Sequence, residues 1–304
     1  MEPIILPRLS DQKPLVSVIS ITYNHEPHIR DCLEGFLMQK TSFPVEFIIH
    51  DDASTDHTAD IIREYYEKRP DLFHVIIERE NCYSIHKPIM MPLFKQAQGK
   101  YIALCEGDDY WIDPKKLQKQ AELCEENESI VGCVSCNFIE KDGTRVLDKS
   151  PMDITIIKKD TSNLPYYHTS TFFFRSSSLF KALELYKALF QYSCQDTILF
   201  CCLSNLGDIR VIPEPLSCRR ITYHGVESSL TKKQHIYNLY LKQRVLLCLF
   251  GPRKRKNKLR VSCIKLLITF LFDQEMCLEN KKQILRQLFY FLTFKNRYCL
   301  TNKL

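Results

Sequence analysis

Across the first 105 residues, short apolar runs alternate with stretches of helical period. Leu15 to Ile21 is followed by a helical pattern near His28 to Gln39, Val45 to Ile49 by one near Thr58 to Lys68, and Phe73 to Ile77 closes the series. Strands that alternate with helices build βαβ units with right-handed crossovers, which predicts an α/β fold with a mostly parallel central sheet. In the first helix, Ile29, Cys32, Leu33, Phe36 and Leu37 recur at i, i+3, i+4, i+7 and i+8, so this face is assigned to packing on the sheet. Asp56 is placed to cap the second helix, where Ile61, Ile62 and Tyr65 form the apolar stripe, and Asp113-Pro114 reads as another helix start.

Three of the apolar runs end in polar tips: Thr22-Tyr23-Asn24, Asp51-Asp52-Ala53-Ser54-Thr55-Asp56, and Glu106-Gly107-Asp108-Asp109. In open α/β sheets, ligands bind beyond the carboxyl ends of the strands at a switch in strand order. Three carboxylates within four residues, at 106, 108 and 109, repel one another unless they share a cation, and a hard divalent ion takes oxygen ligands of this kind.

Taken in order, VSVISITYN, FIIHDDASTDHT and GKYIALCEGDDYWIDPKKL resemble the nucleotide-sugar-binding half of the family 2 glycosyltransferases, which have the GT-A fold. The resemblance implies a GT-A domain over residues 1–230, with a donor half at about 15–125 and an acceptor half at about 126–230, and a basic helical extension over 231–304. It implies an inverting transfer of a sugar from a nucleoside-diphosphate donor to a hydroxyl of a glycan or lipid-pyrophosphate-linked acceptor, in bacterial surface polysaccharide synthesis. Mg²⁺ or Mn²⁺ is the implied cofactor, with Asp109 as ligand and Asp108 ligating or holding the ribose; Glu106 stands where the family often has the first Asp of its DxD pattern.

By the same resemblance, Asp52 contacts the base, and Ile21, Tyr23 and Asn24 line the base and ribose pocket. A turn closing the strand is the structural reading of Asp51 and Asp52, because Asp readily forms Asx turns, and it competes with ligand contact for Asn24 as well. Gln195-Asp196-Thr197 resembles the family's second acidic motif, which makes Asp196 the general base; the residue also suits the start of a helix over 197–204. His168, in a Tyr167-His168-Thr169-Ser170-Thr171 segment, is a candidate substrate contact. Arg219, Arg220 and His224 are candidates for positive charge near the diphosphate.

Two rival classes use similar parts. A nucleotidyltransferase acting on sugar phosphates normally carries a Gly-rich phosphate loop, and Thr22-Tyr23-Asn24-His25-Glu26 contains no Gly. A non-catalytic nucleotide-sugar-binding protein has no need of acidic residues at 108, 109 and 196 together. A dehydrogenase lacks support without G-x-G-x-x-G after the first strand, and no nucleic-acid partner is expected.

A chain of 304 residues with 45% hydrophobic and 26% charged content suits a folded protein with a sizeable core. Its amino-terminal residues lack a basic stretch followed by an apolar segment, so a secretory signal is not expected and a cytoplasmic location is. The fourteen cysteines are read as reduced, buried thiols. Cys133 and Cys136 have C-x-x-C spacing, but on a strand they point to opposite faces, which disfavours a zinc pair.

The formal net charge of +6 is uneven, because residues 231–304 hold 17 Lys and Arg against Asp273, Glu275 and Glu279. Two readings of that tail stand: peripheral attachment to an anionic membrane at the inner face, or packing on the catalytic domain with the charges solvated.

Overall fold

The computed structural model describes residues 2–148, 155–158, 167–186 and 195–222. The expected tail helices, the basic run at 253–256 and His224 lie outside the described residues. The chain divides into two compact units. The first comprises Met1–Ile157, Pro165–Leu179 and Asp208–Tyr223, and the second Lys158–Leu164, Phe180–Gly207 and His224–Leu304.

In the first unit, β1 (Ile4–Leu6), β2 (Val16–Thr22), α1 (Ile29–Leu37), β3 (Val45–Asp51), α2 (Thr58–Lys68), β4 (Phe73–Ile77), α3 (Met90–Gln96) and β5 (Tyr101–Leu104) follow in order. They lead into β6 (Tyr110–Trp111), α4 (Lys116–Glu125), β7 (Ile130–Lys141), β8 (Thr144–Leu147) and β9 (Ile156–Ile157). After β10 (Phe173–Arg175) and α5 (Ser176–Leu185) comes α6 (Gln195–Leu206), which lies in the second unit, and then β11 (Asp208–Arg220).

The sheet runs β1-β4-β3-β2-β5-β10-β7-β11-β6, with β8 on β7 and β9 on β11. The block β4-β3-β2-β5 is parallel, as the strand-helix alternation requires, and β10 joins both β5 and β7 antiparallel. From β2 the chain goes to β3 and β4 on one side and returns to β5 on the other. This switch in strand order falls beyond Thr22 and Leu104, where open α/β sheets bind ligands and where the sequence places TYN and EGDD.

Ile29, Cys32, Leu33 and Phe36 of α1 are buried against this sheet, each contributing on the order of 1.5–3 kcal/mol where the side chain is large and apolar. The Phe36 ring lies 5.3 Å from that of Phe47 and 4.8 Å from that of Trp111. A Cβ on Gly35 would come within 3.0 Å of the Trp111 backbone nitrogen, so α1 rests directly on β6. Asp56 accepts the amide and hydroxyl of Thr58 at the start of α2, and Asp113 accepts the amide of Lys115 ahead of α4, as the sequence anticipates.

Nine cysteines among the described residues are buried and free. No helix among the described residues is long and apolar enough to cross a membrane.

Candidate active site

The EGDD segment continues the line of β5 past its end. Cys105 and Gly107 donate their amides to the carbonyls of Ile19 and Ile21 at 3.2 and 3.0 Å. Gly107 is required by close approach, because a Cβ there would lie 2.6 Å from Thr22 Oγ1 and 3.0 Å from His25 Nδ1. The chain then turns, with the Asp109 amide donating to the Glu106 carbonyl at 3.1 Å. That turn carries the Asp109 side chain inward, where it is 2% exposed.

Two segments distant in sequence meet Asp109. Strand β6 pairs antiparallel with Ser217 and Cys218 of β11, which brings the Arg220 amide to Asp109 Oδ1 at 2.9 Å. His168 places Nδ1 at 3.3 Å from Asp109 Oδ2 and 3.0 Å from Ser170 Oγ. Donor atoms of Glu106, Asp109 and His168 all lie within 4.8 Å of one another.

The electrostatics of this group suit a cation. Burial, together with the charges of Asp108 and Glu106, pushes the Asp109 carboxyl well above the usual carboxylate range. Burial, aided by Arg219, pushes His168 down to about 3, so its imidazole is neutral and keeps a lone pair. Nδ1 also accepts the Ser170 amide at 3.4 Å, so this nitrogen faces a carboxylate oxygen while held by the following turn. Two carboxylates and an imidazole form a donor set that suits Mn²⁺, and the residues present therefore fit a divalent metal.

Asp108, read from the sequence beside Asp109, directs its carboxylate to His25, with His25 Nε2 at 3.9 Å from Asp108 Oδ2. Arg220 is heavily engaged: Nε donates to Glu140 at 3.1 Å, Nη1 to the Asp108 carbonyl at 3.3 Å, and Nη2 to Asp31. Its guanidinium also lies 4.2 Å from the centre of the Tyr110 ring. Arg220 thus braces the turn from outside, while the charge of Arg219 acts on both Asp109 and His168.

On the neighbouring strand ends, both oxygens of Asp52 accept backbone amides, from Cys82 at 2.7 Å and Tyr83 at 3.1 Å. Asp51 accepts the hydroxyl and amide of Ser54, the Asx turn anticipated for it. Asn24, at φ 53°, accepts the Thr55 amide at 2.8 Å and donates its own amide to Ser54 Oγ at 2.9 Å. It ties the tips of β2 and β3 together. Ile21 is half-buried and the Tyr23 ring is exposed. Asp196 lies in the first turn of α6, within the second unit.

The profile described as Glycosyl transferase family 2 matches residues 17–182, more than half of the chain. The chain belongs to glycosyl transferase family 2. An uncharacterized protein of Mycobacterium tuberculosis is 43% identical over 138 residues, 45% of this chain and 39% of that protein. The UDP-Glc:alpha-D-GlcNAc-diphosphoundecaprenol beta-1,3-glucosyltransferase WfaP of Escherichia coli is 35% identical over 128 residues, 42% of this chain and 48% of WfaP. The match thus spans less than half the length of either relative.

Among solved structures, S. aureus TarS 1-349 in complex with UDP-GlcNAc superposes with a TM-score of 0.58 at 20% identity, covering 91% of this chain and 72% of the TarS 1-349 chain. That likeness shows the fold. The family 2 chain described here has the α/β GT-A architecture expected from its sequence.

The sequence points to Asp109 and Asp108 through their crowding, and to His168 as a candidate substrate contact within the segment Tyr167 to Thr171. The joining of His168 to Asp109 and Glu106 was missed. The one signal available was the small polar run Thr169-Ser170-Thr171 before an apolar strand, which marks a tight turn but not its destination. His25 was missed altogether.

Proposed function

We propose that this family 2 chain moves a sugar from a nucleoside-diphosphate donor to a hydroxyl of a glycan or lipid-pyrophosphate-linked acceptor, with inversion at the anomeric carbon. The observation that carries the reading is the convergence of Glu106, Asp109 and His168 at the switch in strand order. Asp109, His168 and Glu106 would hold Mg²⁺ or Mn²⁺, which when bound would supply a Lewis acid for the charge on the leaving diphosphate. The complex of TarS with UDP-GlcNAc, and the donor and acceptor in the name of WfaP, support a nucleotide-sugar donor and a diphospholipid-linked acceptor. Surface polysaccharide synthesis at the inner face of the membrane is the setting that such an acceptor implies.

The chain's own residues have distinct tasks in this reading. Asp108, fixed through its carbonyl by Arg220 and facing His25, holds the ribose. Asp52 shapes the base pocket by holding the amides of Cys82 and Tyr83, and Ile21, Tyr23 and Asn24 line it. Arg220 keeps the EGDD turn closed. Asp196 takes the proton of the acceptor hydroxyl as general base.

The test is a screen of UDP-, GDP- and dTDP-sugars for thermal stabilisation with and without Mn²⁺, since a ligand that binds only the native state raises apparent stability. One nucleotide class is expected to stabilise the protein, and only with the metal. Product configuration by NMR then checks inversion; a retained configuration overturns the single-displacement scheme.

A further inference from the structure

A second cluster of metal-ligating side chains lies beside Asp52, and these side chains take no direct part in the transfer described above, which uses only the Cys82 amide. His50, near the end of β3, is 4% exposed, and its Nε2 lies 3.5 Å from Oε1 of Glu78, one residue past β4. Cys82, 2% exposed, completes the group, and the donor atoms of the three residues all fall within 4.8 Å of one another.

Neither nitrogen of His50 makes an ordinary structural hydrogen bond. The Nε2 contact of 3.5 Å is long, and Nδ1 is buried with no hydrogen-bond partner. The 3.5 Å separation instead matches the edge of a coordination tetrahedron, which is about 3.4 Å for bonds of about 2.1 Å.

The frame around the cluster is built before any ion arrives. Glu78 is tied to the sheet by its amide, which donates to the Asp51 carbonyl at 2.9 Å. Cys82 is fixed by its amide on Asp52 Oδ1 and by its carbonyl, which accepts the Lys87 amide at 2.9 Å. Asn81 donates to the Asp52 carbonyl at 3.0 Å and accepts the Ser84 amide at 2.7 Å. Among the described residues, the Lys87 ammonium faces Glu78, half-exposed, with Nζ at 3.3 and 3.4 Å from the two carboxylate oxygens. Contacts this long from an exposed side chain are weak.

We propose that His50, Glu78 and Cys82 form a binding site for a thiophilic divalent cation of the Zn²⁺ class, in which the metal displaces the Lys87 ammonium and locks the 79–87 loop against Asp52. A thiolate, an imidazole and a carboxylate are a donor set that selects Zn²⁺ or Co²⁺ over Mg²⁺. Binding forms the metal–sulfur bond as the Cys82 S–H proton leaves to solvent, with no change of oxidation state.

The test is titration of the chelator-treated full chain with Co²⁺, followed by optical spectroscopy. The expected result is one equivalent that develops a thiolate-to-cobalt charge-transfer band with tetrahedral d–d absorption, bleached by added Zn²⁺. The band should survive in Asp109→Asn and disappear in Cys82→Ser. Lys87→Met, which removes the competing ammonium without touching a ligand, should bind Co²⁺ roughly two- to fivefold more tightly, the worth of an exposed ion pair. Absence of the charge-transfer band in the wild-type chain, its persistence in Cys82→Ser, or unchanged affinity in Lys87→Met overturns the proposal.

Discussion

The indole N–H of Trp111 donates to the carbonyl oxygen of Ser170 at 3.1 Å, across 59 residues of sequence. Gln120 Nε2 does the same for the carbonyl of Thr171 at 2.9 Å. These two bonds fasten the turn that carries His168 to the strand and helix that follow Asp109. The Asp109–His168 pair is therefore held by side chains outside the group itself, which is how precise sites are usually supported. Trp111→Phe should leave the Ser170 carbonyl buried without its donor and cost about 1–3 kcal/mol. Urea unfolding measures that loss, and the apparent Mn²⁺ affinity should fall with it.

Asp109→Asn should leave the fold intact and the metal-free protein as stable as the wild type or more so. The carboxyl is buried beside two like charges, so its ionised form opposes folding, and an amide removes that repulsion. Thermal unfolding in the presence of a chelator checks this, with a lower Tm as the contrary result.

Lys116 gives a pH signature independent of the site. It is fully buried, donates to Gln120 Oε1 at 2.6 Å and lies 4.3 Å from the Trp111 ring centre. Burial pushes its ammonium down to about 8 from 10.5. Between those values the unfolded chain binds more protons than the native one, so this residue makes stability rise with pH across the window, by on the order of 3 kcal/mol in all. Below pH 8 its penalty is fully present. The difference in unfolding free energy between wild type and Lys116→Met should therefore change steadily from pH 8 to 10.5; a flat difference contradicts it.

Much of the parallel half was legible in the sequence because its signals are local. Phe73–Ile77 and Thr58–Lys68 have the expected bounds, since a β run and an amphipathic stripe each declare themselves within one element. β1 escaped notice, since three residues, Ile4–Leu6, are too few to show a period. β6 escaped for a different reason. Tyr110–Trp111 becomes a strand only through its pairing with Ser217 and Cys218. The same non-local pairing brings Arg220 to Asp109, and the insertion of β10 between β5 and β7 brings His168 there. A cluster assembled by sheet order leaves no spacing in the sequence to read.

Asp196→Asn should bind donor as the wild type does and transfer roughly 10²- to 10⁴-fold more slowly, the usual worth of a general base. Single-turnover transfer measured beside donor binding separates this from a change in affinity. Near-normal turnover would reduce Asp196 to a favourable charge in the first turn of α6.

The basic tail is expected to hold the protein to anionic surfaces, since each Lys or Arg near such a bilayer contributes about 1 kcal/mol. Co-sedimentation should occur with anionic and not neutral liposomes, fall as salt rises, and weaken when Arg253, Lys254, Arg255 and Lys256 are changed to Gln. Equal partitioning to both liposome types, or to neither, assigns the tail to packing.

Electron paramagnetic resonance of Mn²⁺ tests the central claim most directly, because it counts free ion whatever the sugar or acceptor. With a nucleoside diphosphate present, the wild-type chain should remove about one equivalent of the free-Mn²⁺ signal, and Asp109→Asn and His168→Ala should each leave most of it. Equal Mn²⁺ uptake by wild type and both variants would contradict the assignment of the metal to Asp109 and His168.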